Sequence, residues 1–228
     1  MTHDPDARSS AYDGPVTVSV LEFAGRSVRL VRPADPDRLL EAPDVLAWNE
    51  GDDYMPYWAY LWPGAFLLAE AVARQPWPRG TRALEIGCGL GLAGLVGVAA
   101  GLRVHFTDYD ETPLRFVARS AAENGFDPAS VSTGRLDWRD LPDQRYPVIL
   151  GADVLYERRL VPLVVGVLDR MLEPDGVALV AGPYRVATED LEPTLTAAGL
   201  RSEARPLTAR NEAGGSVRGT LHRIWKGR

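Results

Sequence analysis

"LEIGCGLGLAG", residues 84–94, is the stretch on which the fold turns. A short apolar run, Leu84-Glu85-Ile86, leads into Gly87, Gly89 and Gly91, and a run of small apolar residues (Leu92–Ala100) follows. This is the pattern of a buried strand, a tight turn and a helix. Glycines in such a turn let the backbone approach a ligand closely, and the start of the following helix favours an anion. Two registers compete. Counted from Gly89, the residues fit the dinucleotide fingerprint G-x-G-x-x-G. Counted from Gly87, they fit G-x-G-x-G with an acid, Glu85, two residues before. The strand runs straight into Gly87, which makes Gly87 the first turn residue. Position 92 is then Leu, where the dinucleotide fingerprint places Gly.

Downstream, strands and helices alternate. "RVHFTD" (103–108) reads as a second strand, "ETPLRFVARSAAENG" (111–125) as a helix stopped by Gly125, "VSTGRLDW" (131–138) and "YPVILGAD" (146–153) as third and fourth strands. "RRLVPLVVGVLDRML" (158–172) is a helix ended by "EPDG", "GVALVAGPY" (176–184) a fifth strand, and "ATEDLEPTLTAAG" (187–199) a helix. "LRSEARPL" (200–207) and "SVRGTLHRIWK" (216–226) are the sixth and seventh strands. The alternation predicts an α/β fold, a parallel sheet with helices on both faces. The last two strands are joined by "TARNEAGG", too short for a crossover helix, so the seventh should run antiparallel.

Upstream, residues 1–14 read as disordered. Residues 15–75 form an N-terminal extension, and 76–228 the ligand-binding domain. "VTVSVLEFAGRSVRLVRP" alternates on both sides of Ala24-Gly25 and predicts a β-hairpin. "DPDRLLEAPDVLAW" reads as broken helix. "DDYMPYWAYLWPGAFLLAE" (52–70) concentrates aromatics ahead of an amphipathic helix. Trp58 and Trp62 are four apart and would share a face on a helix. Core packing is one account of them; a cover over a flat, charged ligand is the other.

Composition narrows the function. The formal charge of −6 argues against a nucleic-acid binder working by phosphate neutralisation. One cysteine, Cys88, and three scattered histidines leave no disulfide framework and no metal-ligand spacing. The polar start MTHDPDARSS is not a signal peptide, and the longest apolar stretch is broken by glycines, so a cytoplasmic protein without a membrane span is expected. The chain has 24 arginines and a single lysine, Lys226, a bias that GC-rich coding favours. A protein acting on lysines would thus offer almost none of its own.

Asp108, at the end of the second strand about 20 residues beyond the turn, suits a ribose diol. Asp137-Trp138 ends the third strand, where an adenine amino group and an aromatic wall fit. Taken in order, E-x-G-x-G-x-G (Glu85, Gly87, Gly89, Gly91), T-D-Y-D (Asp108, Tyr109) and L-D-W (Asp137, Trp138) resemble a class I S-adenosylmethionine-dependent methyltransferase. "PYWAYLWPG" and "GADVLYE" sharpen the resemblance to the seven-β-strand family 16 methyltransferases. Within them the chain resembles the branch of the electron-transfer-flavoprotein β-subunit lysine methyltransferase and the bacterial nicotinamide N-methylase-like proteins. That branch carries W-x-x-x-W-P and D-x-x-Y, here Trp58, Trp62, Pro63, Asp153 and Tyr156.

The resemblance implies a Rossmann-like sheet of order 3-2-1-4-5-7-6 and S-adenosyl-L-methionine as cofactor. It implies Trp62, rather than Trp58, covering the cofactor, with Ala152 beside it after the fourth strand. Asp153 and Tyr156 would be the catalytic pair, holding and walling in an amine. A protein lysine is the leading acceptor, a small-molecule amine the second. A non-catalytic binder of the cofactor and an NAD-linked oxidoreductase are the remaining readings. A monomer is expected. Glu50, Asp52 and Asp53 are candidates to steer a basic target, and Tyr184 or Arg185 to line the acceptor site.

Overall fold

The computed structural model describes residues 12, 14–41, 45–46, 55–183 and 189–227. Strands β1 (Val16–Phe23) and β2 (Arg26–Pro33) pair antiparallel as the alternation requires. Ala24 and Gly25 both take positive φ (46° and 80°), the two-residue turn whose twist matches its strands. A short 3₁₀ turn follows at Pro36–Leu39. Helix α1 (Pro63–Arg74) opens on Pro63, whose fixed φ and missing N–H suit a first helical turn.

The remaining elements come in the expected alternation. They are β3 (Arg82–Ile86), α2 (Leu92–Ala99), β4 (Arg103–Asp108), α3 (Glu111–Glu123), β5 (Val131–Arg135), β6 (Tyr146–Ala152) and α4 (Val161–Met171). Then come β7 (Leu172–Gly182), α5 (Leu191–Ala197), β8 (Leu200–Arg210) and β9 (Ser216–Lys226). The seven-stranded sheet has order β5-β4-β3-β6-β7-β9-β8, which is 3-2-1-4-5-7-6 counted from β3. β9 runs antiparallel to β7 and β8, because the loop Asn211–Gly215 is only long enough for a hairpin.

Strand pleating divides the core. Ala83, Phe106, Val148, Leu150 and Leu179 pack against α1, α2, α3 and the hairpin. Leu84, Ile86, Ile149, Ala178 and Val180 pack against α4 and α5 on the other face. The hairpin is pinned to α3: Val31 N donates to Ser120 Oγ (2.9 Å), and Arg29 N to Asn124 Oδ1 (2.8 Å). The order reverses around β3, so the carboxyl ends of β3, β4 and β6 frame the crevice where open parallel sheets bind ligands.

Three details differ from expectation. Trp58 and Trp62 share no helix. Tyr57–Ala59 is a 3₁₀ turn and Trp62 an extended residue before α1, because Pro56 and Pro63 bracket the segment. "EPDG" is absorbed into an irregular start of β7, where the register to β6 shifts between Tyr146 and Val148. β5 stops at Arg135, leaving Asp137 and Trp138 in the turn that follows. Glu50, Asp52, Asp53, Tyr184, Arg185 and nearly all of residues 1–14 lie outside the described residues. Among the described residues no helix is long and apolar enough to cross a membrane.

Candidate functional site

The glycine turn is built on backbone that L side chains avoid. Gly87, Gly89 and Gly91 have φ of 54°, 50° and 73°. Space is short as well: a Cβ at Gly87 would sit 3.1 Å from the Trp138 ring, and one at Gly91 2.7 Å from Val117. The turn is tied to β4 from two sides. Cys88 N donates to Thr107 O (2.9 Å) and Gly89 N to Asp108 Oδ2 (2.8 Å). Asp108 Oδ1 accepts from Asp110 N (3.1 Å), and Asp110 caps α3 through Thr112 N. The two aspartates of T-D-Y-D thus have separate tasks. Burial pushes Asp108 up to about 6.

Glu85 is turned into the interior at 2% exposure. Its Oε2 accepts from Gly94 N (3.1 Å), and burial pushes the carboxyl up to about 8, so it is protonated at neutral pH. It anchors the first turn of α2. A Cβ at Gly94 would lie 2.3 Å from that oxygen, so Gly94 is as necessary as the turn glycines. Burial, then Asp108 and Glu85, push the Cys88 thiol up, which makes it a poor nucleophile.

Directly after β4, the Tyr109 ring is met by two guanidinium groups, Arg135 at 4.9 Å and Arg139 at 5.5 Å from the ring centre. Arg139 also holds both Asp137 oxygens, with Nη2 2.6 Å from Oδ2, and that hydrogen bond holds the Asp137 carboxyl below its usual range. Trp138 packs over Gly87. The structure therefore brings Trp138 to the turn and joins Tyr109 to Asp137 through Arg139, a residue the motif reading did not single out.

The aromatic segment splits by role. Trp58 is 7% exposed and packs on Phe116 (5.6 Å), while its backbone lies against Gly89. Trp62 is 37% exposed and donates through Nε1 to Tyr57 O (2.8 Å). Tyr57 meets Trp62 edge-on at 5.8 Å and Tyr156 edge-on at 5.7 Å. Tyr60 meets Trp62 at 6.0 Å, and its hydroxyl donates to Asp37 (2.7 Å). A wall of rings thus runs from Trp62 to Tyr156. Burial, then the charges of Glu157, Tyr57 and Asp108, raise the Tyr156 hydroxyl above its ordinary value, so it remains a neutral phenol.

Ala152 closes β6, and Asp153 follows it with φ of 55°. A non-glycine residue there carries strain of about 1–2 kcal/mol. Two contacts hold it: Asp153 N donates to Ala181 O (2.9 Å), and Oδ2 accepts from Gly64 N (2.5 Å) in the first turn of α1. A carboxylate at a helix N-terminus is stabilised by the free amides and the helix dipole. Gly64 was visible in "WPG" but carried no signal of its partner.

The crevice therefore offers a carboxylate at the glycine turn, a second at the end of β6, and a wall of rings that ends at Tyr156, whose hydroxyl feels the Asp108 charge. Positive-φ glycines with an adjacent half-buried carboxylate, Asp108, fit an adenosine-bearing ligand. The wall and Asp153 fit a cationic group. Among the described residues no group of His, Cys, Asp and Glu side chains could hold a metal ion.

The family described as lysine methyltransferase matches residues 59–191, more than half of the chain. The protein N-lysine methyltransferase METTL21A of Danio rerio is 33% identical over 119 residues, covering 49% of this chain and 54% of that protein. The electron transfer flavoprotein beta subunit lysine methyltransferase of Xenopus laevis is 28% identical over 137 residues, covering 59% and 54%. The chain thus spans about half the length of the curated relatives it matches. Among solved structures, a ribosomal protein L11 methylase from Lactobacillus delbrueckii subsp. bulgaricus superposes with a TM-score of 0.56 at 17% identity, over 71% of this chain and 78% of that one. At that identity the likeness shows the fold alone.

Proposed function

The chain belongs to the lysine methyltransferase family, and we propose that it transfers a methyl group from S-adenosyl-L-methionine to the side-chain amine of a lysine in a protein. The observation that carries the reading is the pairing, across one crevice, of the Asp108-braced glycine turn with Asp153 and the aromatic wall. When bound, the cofactor supplies a methyl group already activated on a sulfonium, so the protein's work is to bind, orient and exclude water.

Gly87, Gly89 and Gly91 give the cofactor close backbone approach, and Asp108 accepts from its ribose hydroxyls. Trp138, Tyr109, Asp137 and Ala152 line the adenine side; Glu85 shapes the site by fixing α2; Trp62 covers the opening. On the acceptor side, a lysine amine has a pKa near 10.4, so roughly one in a few thousand is neutral at pH 7. Asp153 draws in and aligns the ammonium, and the rings of Tyr156 and its neighbours strip its water. The ammonium gives up its proton to water as it enters, and the neutral amine is what the rings enclose.

On the same reading the enzyme is a cytoplasmic monomer with a protein substrate and no nucleic-acid partner; the formal charge of −6 supports the last point. The test is transfer of isotope-labelled methyl groups from S-adenosylmethionine into a cell lysate, with protein and small-molecule fractions separated. Label in protein, released as methyl-lysine on hydrolysis, is expected. Label confined to small molecules would move the acceptor to a metabolite amine, and no label in either fraction would leave a cofactor-binding protein without transferase activity.

A further inference from the structure

We propose that Gly64 and Asp153 form a clasp that sets the aromatic segment against the acceptor side of the crevice, and that Gly64 is a positioning residue for methyl transfer. The inference rests on the reading above for its activity assay, and on geometry alone for its spectroscopic one.

The two residues are 89 positions apart, yet Gly64 N donates to Asp153 Oδ2 at 2.5 Å. The fit leaves no slack. A Cβ at Gly64 would lie 2.4 Å from that oxygen and 2.7 Å from Ala181 O, and one at Gly182 3.3 Å from Asp153 Oδ1. Two glycines thus make the space in which the carboxylate lies. Asp153 accepts positive φ to reach it; the other described non-glycine residue with positive φ is Ala24, in the hairpin turn. Strain kept at one residue beside a crevice marks a place where position matters.

The contact reaches the rings directly. Gly64 follows Trp62-Pro63, Ala65 N donates back to Trp62 O (3.0 Å), and Trp62 Nε1 donates to Tyr57 O (2.8 Å). Tyr57 then meets Tyr156, three residues beyond Asp153. The aromatic segment and the loop after β6 are therefore fastened at two points, one carboxylate-to-amide and one ring-to-ring. A shift of Asp153 away from Gly64 moves Trp62 and Tyr57 relative to Tyr156 and opens the wall.

Local and long-range accounts predict opposite outcomes for Gly64→Ala. Alanine is the better helix former, so a purely local account expects a neutral or stabilising change. The clasp account expects displacement of Asp153 and loss of transfer. The experiment uses the full chain with Gly64→Ala, Asp153→Ala and the double variant. Thermal melting and S-adenosylhomocysteine titration establish fold and cofactor affinity. Indole and amide ¹⁵N spectra follow Trp62 (its signal identified by Trp62→Phe) and Gly64. Labelled methyl transfer into lysate gives the rate.

We expect Gly64→Ala to stay folded with a lowered melting temperature, because the Ala181 carbonyl is backbone and does not step aside cheaply, and to weaken S-adenosylhomocysteine binding no further than Trp62→Ala does. Its Trp62 indole signal should move and transfer should fall by at least about tenfold, the scale of misplacing reacting groups. Added to Asp153→Ala, which removes the accepting oxygen, it should cost less than about twofold more, because both break one contact. An unmoved Trp62 signal in folded Gly64→Ala, or losses that multiply in the double variant, would overturn the clasp. Asp153→Ala reads the contact from its other end: its Gly64 amide signal should shift, and a signal that stays in place also refutes it. If wild-type protein transfers no methyl group, the proposed function fails while the two spectra still decide the clasp.

Discussion

Lowering the pH from about 7.5 to about 5 should weaken S-adenosylhomocysteine binding by roughly tenfold, and Asp108→Asn should remove that dependence. Burial lifts the Asp108 carboxyl from 3.8 to about 6 in the free protein. Ribose hydroxyls donate to a carboxylate, so the ionised form binds best and binding at low pH must first expel the proton. Affinity should be half its plateau near pH 6, about a tenth of it at pH 5, and fall about tenfold for each unit of acidity below that. Free-protein stability runs the other way. A folded pKa raised above the unfolded value contributes stability that is full below about 3.8 and lost as pH rises through about 6, on the order of 3 kcal/mol in all. The free protein should therefore lose stability across this window while the stabilisation conferred by the ligand grows. Isothermal titration at several pH values, beside thermal melts with and without ligand, measures both trends. Equal affinity at pH 5 and pH 7.5, or a tenfold dependence retained in Asp108→Asn, would show that Asp108 does not face the ribose.

Three further outcomes can be checked with the same protein. Glu85→Gln should flatten the loss of stability that wild type shows as pH rises from 4.5 to about 8, a loss on the order of several kcal/mol, because glutamine has no proton to lose; a variant that melts with the wild-type pH profile would place the titration elsewhere. Trp58→Ala should destabilise by about 3–5 kcal/mol, the cost of emptying a buried aromatic site, whereas Trp62→Ala should leave stability nearly unchanged and weaken ligand binding; equal melting shifts in chemical denaturation would contradict the split. Asp153→Asn should keep S-adenosylhomocysteine affinity within about threefold and reduce transfer by roughly 10²-fold, the scale of a misaligned reacting group; a proportional loss of both in parallel assays would assign Asp153 to the cofactor.

Some of the site was readable because its signals are local. Three glycines entered by an apolar strand imply a tight turn whatever surrounds them, since only glycine adopts their φ cheaply. Asp108 was readable from its distance past the turn. Trp58 and Trp62 were not separable as core and surface by spacing, because their backbone is not helical. The same limit applies to Asp137: nothing in "DWRD" announces that Arg139 doubles back onto both carboxylate oxygens. Glu85 was legible as an acid at the turn but not as a neutral one, which depends on how fully α2 covers it.

The sequence by itself determined the alternation of strands and helices, the hairpin at Ala24-Gly25, the register of the glycine turn and the reversal of the last strand. Each follows from pattern over a few neighbouring residues: pleat or helix period, glycine conformation, and loop length. Tertiary structure alone decided that Gly64 receives Asp153, that Gly94 receives Glu85, and that Tyr57, Trp62 and Tyr156 make one wall. Those contacts join residues from separate elements through distances of a few ångströms, and their energies depend on burial and on the donor geometry of the partner. Neither exists until the sheet has brought the carboxyl ends of β3, β4 and β6 together and α1 has packed beside β6 and β7.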